Sequence, residues 1–171
     1  EFLIATGRSI NKERMKDQYV VLRAMAFLML HRGEFKDIPA LQYRGDIDDF
    51  LARFMVYVND NAPEKLIVDY ENLFIRCMQI SYDLLGENGF RFSGNGIRRP
   101  INMPLFEALS YLFSFVPEKI DYTWASRLIL DIESVKEEFD DSRYFSGNID
   151  STTSVSFRFD RMDKIINRIQ L

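Results

Sequence analysis

Residues 86–106, Gly-Glu-Asn-Gly-Phe-Arg-Phe-Ser-Gly-Asn-Gly-Ile-Arg-Arg-Pro-Ile-Asn-Met-Pro-Leu-Phe, bring four glycines and three arginines into one short stretch. Glycine backbone beside guanidinium groups is suited to phosphate, because bare N–H groups and fixed cations both favour an oxyanion. A dinucleotide fingerprint would need Gly-x-Gly-x-x-Gly between a strand and a helix. Here Gly94-Asn95-Gly96 is followed by Arg99 where the third glycine belongs, and no strand pattern precedes it. The Gly-Lys-Ser/Thr ending of a Walker A loop is absent as well. What survives is a looser anion nest near Arg98 and Arg99. The competing reading is an exposed loop whose glycines permit positive φ, leading to a helix start at Asn102.

The other chemistry-bearing residues also admit structural readings. Arg14 and Asp17 stand three apart on one helical face, as a carboxylate-held arginine facing phosphate or as a charge-paired helix start. Arg23 lies in an apolar run and calls for a partner, since a lone buried guanidinium is costly. Asp131, Glu133, Glu137, Glu138, Asp140 and Asp141 crowd one helix end, where a magnesium site competes with an ordinary solvated face. Arg158, Arg161, Lys164 and Arg168 alternate with Asp160 and Asp163 on the last helix, so a bridge to the acidic helix or exposed pairs fit better than a nucleic-acid stripe. Tyr82 and Tyr144 are candidate base-stacking rings or core. Cys77 sits on an apolar helical face and reads as an inert buried thiol. No catalytic, cofactor-binding or metal-binding residue is assigned.

The totals narrow the classes. At 171 residues and 47% hydrophobic content, with fifteen Phe, the chain is one domain with a real core. A net charge of −4 gives no global attraction to nucleic acid or anionic membrane. One cysteine excludes an intramolecular disulfide and fits a reducing, cytoplasmic compartment. One histidine, His31, excludes Cys/His zinc sites and Ser-His-Asp triads. The apolar run at 19–30 is broken by Arg23 and is shorter than the roughly 20 residues of a membrane span.

Helical spacing then supplies the elements that must position these side chains. Helices are expected over 14–32, 47–59 capped by Asp46, 63–84, 103–116, 121–139 capped by Asp121, and 153–170. The expected fold is all-α, a single domain of about six helices around a central apolar helix at 14–32. The chain begins Glu1-Phe2, which a common cloning site also encodes. Residues 1–13 are weakly patterned and are expected to be a connection to a missing upstream domain, with 14–171 as the helical domain. Loops 33–45, 86–101 and 140–152 are where function would sit.

Three stretches resemble a known family. Arg-Met-Lys-Asp-Gln-Tyr-Val-Val-Leu-Arg and its continuation to Leu30, residues 88–113, and residues 151–169 are similar to the C-terminal helical half of GmrSD-type proteins of prokaryotic restriction and antiphage defence. Tyr19 departs from the pattern, standing where an acidic residue is expected. The resemblance implies an N-terminal ParB/sulfiredoxin-like half with an Asp-Gly-Gln-Gln-Arg motif, tied to nucleotide hydrolysis or DNA cleavage. This sequence has no such run. It implies that Arg14, Asp17, Arg23, Phe90, Arg91, Asn102 and Arg158 mark inter-domain or folding contacts, and that the ParB-like half is the partner. The rival expectation is a helical module contacting DNA or a protein through Arg91, Arg98 and Arg99.

Overall fold

A computed structural model describes residues 1–10, 15–94 and 97–169. Among them are seven α-helices and no strand: α1 (Phe2–Ala5), α2 (Lys16–His31), α3 (Ile47–Asp60), α4 (Glu64–Leu85), α5 (Met103–Phe113), α6 (Tyr122–Asp140) and α7 (Thr152–Ile169). The fold is all-α. Among the described residues no helix is long and apolar enough to cross a membrane.

The helix starts follow the expected chemistry. The carboxylates of Asp46 and Asp121 and the side-chain oxygen of Asn102 each accept the backbone N–H three residues on, at 3.0, 2.8 and 3.0 Å. That satisfies one otherwise orphaned donor per helix. The ends shift where tertiary contacts intervene. α5 stops at Phe113, three residues before the apolar pattern does. Pro117 disfavours helical geometry at Val116, and side chains take the freed carbonyls: Arg32 holds Ser114 at 3.1 Å and Arg76 holds Val116.

α5 is the most enclosed element, buried on every side from Pro104 to Phe113. It packs on α7, α2 and α4, while α6 closes against α4 and α7. α2, expected to be the central helix, shares that position and keeps one face open, with Tyr19 exposed and Leu22 and Met25 half-buried. Residues 2–5, expected to belong to a connection, form α1. Ala5 is fully buried, and the Phe2 ring lies 6.4 Å from that of Phe74 and 5.9 Å from that of Phe106. One helical turn is too short to show a period in sequence, so only its packing reveals it.

Candidate functional site

The first site grows from Arg23. The α2–α5 packing carries its guanidinium onto Glu107, a lone carboxylate in the middle of α5. Arg23 Nε lies 2.6 Å from one Glu107 oxygen, and Arg158 Nη2 from α7 lies 2.9 Å from the other. The far side of Arg23 reaches Asp150 at 2.6 Å. Glu107 and Arg158 are 0% exposed and Arg23 is 3% exposed, so this is an ion network inside the core. Two cations and two carboxylates leave no net charge there. Backbone and hydroxyl groups complete the shell: Arg158 donates to the Ile149 carbonyl, Tyr43 donates its hydroxyl to the Asp150 carbonyl, and Arg23 reaches the Tyr19 hydroxyl at 3.4 Å.

Burial alone would lower the pKa of Arg23, but the Glu107 charge and the hydrogen bonds to Asp150, Glu107 and Tyr19 outweigh it and raise the value. Burial pushes Arg158 down, with Glu107 opposing. Its Nε is enclosed without a protein acceptor. Both remain cations, because arginine starts so high. The arrangement locks three helices and the 141–151 loop together.

Arg91 has a similar fate. It is 4% exposed, and its guanidinium donates to the Thr6 carbonyl at 3.1 Å, the Glu87 carbonyl at 3.3 Å, the Arg99 carbonyl and the Ser9 hydroxyl. It pins α1 to the arginine-bearing loop. Phe90 and Phe92 are buried beside it, so the first half of this loop belongs to the core. Its glycines also differ from expectation: Gly86 has φ 60°, whereas Gly89 is helical at φ −49°. Arg98 and Arg99 stay at the surface. Arg98 pairs with Glu87 at 2.9 Å and Arg99 with Asp140 on α6.

The remaining sequence candidates separate cleanly. Arg14 lies outside the described residues. Asp17 accepts the Gln18 N–H at 3.0 Å and lies on the edge of an apolar groove of about 930 Å³ between α2, α3 and α4. Asn102 caps α5 and donates to the Phe145 carbonyl at 3.3 Å. Four of the six residues of the acidic cluster are taken up in ion pairs: Asp131 with Arg168, Glu133 with Lys136, Glu138 with Arg161 and Asp140 with Arg99. Among the described residues no three metal-ligating side chains converge. α7 does bridge to acidic α6 through Arg161 and Arg168, but Arg158 turns inward and leaves that exposed series. Tyr144 stacks on Phe157 with ring centroids 4.3 Å apart.

The single thiol and the single imidazole are poorly placed to act as nucleophile or base. Burial pushes the Cys77 thiol up to about 12, beyond useful thiolate formation. Burial, with help from the Arg158 charge, lowers His31 to about 3, and its ring stacks on Phe159. It is a neutral packing ring near pH 7.

Sequence reasoning missed Glu107, Asp150 and Lys136. Glu107 had a usable signal: a single charge in the most apolar helix needs an opposite partner, as Arg23 did. Asp150 had none, since its role depends on where a loop passes.

No family model matches the chain, and no match is found among curated proteins or solved structures.

Proposed function

We propose that this chain is the non-catalytic helical portion of a GmrSD-type restriction and antiphage defence protein, supporting or regulating a ParB-like nucleotidase or nuclease half. One observation carries the reading. The three stretches that resemble the family each contribute a charge to the buried network: Arg23 from the first, Glu107 from the second and Arg158 from the third. Side chains shared through resemblance and sealed from solvent hold a scaffold together. That is the role of folding contacts, and it fits a domain whose chemistry lies in another half.

The buried Cys77 thiol and the His31 ring held neutral against Phe159 support the same reading. Reading the parent frame upstream of Glu1 tests the origin, with an Asp-Gly-Gln-Gln-Arg run expected. Assaying the purified chain with nucleotide and magnesium tests its silence, with no turnover expected. Turnover abolished by a substitution in the acidic cluster of α6 would overturn the proposal. So would a parent frame that lacks the ParB-like half.

A further inference from the structure

A second concentration of charge lies on the opposite principle from the core network. The turn at 86–94, the returning strand of loop at 97–99 and the middle of α6 surround a cleft of about 570 Å³. Arg91, Arg98, Arg99 and Lys136 line it against only Glu87 and Glu133. Asp140 reaches Arg99 from the adjoining surface of α6, so a chain of net charge −4 carries here a concave surface with one cation in excess. Lys136 is 5% exposed, with its ammonium 2.9 Å from Glu133 and 3.5 Å from the Asn88 carbonyl. A nearly buried ammonium with so few close acceptors has donor capacity left for a ligand.

The cations are positioned rather than loosely solvated. Arg99 crosses the Phe92 ring at 5.3 Å and reaches the Ser93 carbonyl at 3.3 Å. Arg98 lies against Gly7, where a Cβ would collide with its guanidinium. Gly94 has no room for a side chain either, because a Cβ would strike the Ile97 carbonyl. Burial, and then the neighbouring Arg98 charge, lower the pKa of Arg91, with Glu87 opposing. Glu87 and Glu133 are about half open to water, with side chains 54% and 41% exposed, as are Arg98 and Arg99 at 45% and 40%. They are exchangeable partners, since an exposed pair contributes little.

We propose that this cleft binds a compact phosphate group, free or as the monoester of a small molecule, held by Arg98, Arg99 and Lys136 in place of Glu87, Asp140 and Glu133. A phosphate oxyanion suits the surplus positive charge once it displaces the carboxylates, and its oxygens can accept from the guanidinium and ammonium donors. The cleft volume suits a small ligand rather than a duplex, and Leu85 and Ile97 supply an apolar wall for the organic part of an ester. The inference stands apart from the defence reading, because it uses none of the buried network.

The test is an NMR titration of the whole chain with inorganic phosphate, with AMP and with a short DNA duplex. Saturable shifts of the Ser93, Arg99 and Lys136 signals are expected with phosphate and AMP. Tighter binding of AMP would assign an ester, and equal binding free phosphate. Arg99→Gln and Lys136→Gln should each weaken binding roughly tenfold, about 1.4 kcal/mol. Glu87→Gln and Glu133→Gln should tighten it about threefold by removing the internal competitors. The glutamate variants decide the matter even where a cation variant disturbs the fold. No saturable shift with phosphate or AMP, a response to duplex alone, or binding indifferent to the glutamate variants would each overturn the proposal.

Discussion

The core network around Glu107 and the cleft around Lys136 are built from the same residue types, and they do opposite things with them. In the core, two arginines face two carboxylates at 2.6–2.9 Å, with Arg23, Glu107 and Arg158 sealed and Asp150 at the edge, and every charge is answered. In the cleft, cations outnumber carboxylates, and those carboxylates are open to water. Removing a charge from a balanced, dry network strands its partner in low dielectric. Removing one from an open cleft leaves solvent to compensate. Charge balance and water access, more than residue type, separate a structural arginine from one free to bind.

The sharpest way to break this contrast is Glu107→Gln, which leaves Arg23 and Arg158 short of a counter-charge. It should cost about 3–5 kcal/mol, read as a fall in the denaturant midpoint. A loss below about 1 kcal/mol would mean that the network is not dry, and the comparison would fail.

His31 probes the same dry interior by pH. Its folded pKa of about 3 lies below the unfolded value near 6.5, so the unfolded chain binds the extra proton. The resulting stability is fully present above pH 6.5 and drains away as pH falls toward 3. At about pH 5.5 the loss from this group should be about 1.4 kcal/mol. His31→Leu should flatten that acid limb in melts compared across pH; an unchanged limb would show that the ring is wet.

Asn102→Ala should cost about 1 kcal/mol by uncapping α5, measurable in the same denaturant series. It tests whether the most buried helix is anchored at its start or held by packing alone. Smallest of all, Glu87→Gln should shift stability by less than about 0.5 kcal/mol while leaving the melt cooperative. A larger loss would move the cleft toward the structural class.

Much of the helical pattern was readable along the chain, and particular residues show why. Asp46, Asn102 and Asp121 cap because a short polar side chain before an apolar period meets the free N–H groups of the first turn. Arg23 was legible as a side chain needing a partner. Its partners were not, because Glu107 is 84 residues away and Asp150 is 127 residues away. α1 was invisible for the opposite reason, being too short to express a period. Arg91, Arg98 and Arg99 looked alike in sequence, yet the first is held under α1 at the cleft's base while the other two stand open at its rim.

By itself, then, the sequence determined an all-α chain, its capped helix starts and a set of charges too costly to bury alone. Local periodicity and hydrogen-bonding chemistry act over a few residues, and composition records them. The tertiary structure decided which charges meet. Packing α2, α5 and α7 together buried three charges beside Asp150, and laying residues 86–94 and 97–99 against α6 left a surplus cation facing water. Such pairings depend on distances between segments far apart in the chain, which no local pattern encodes.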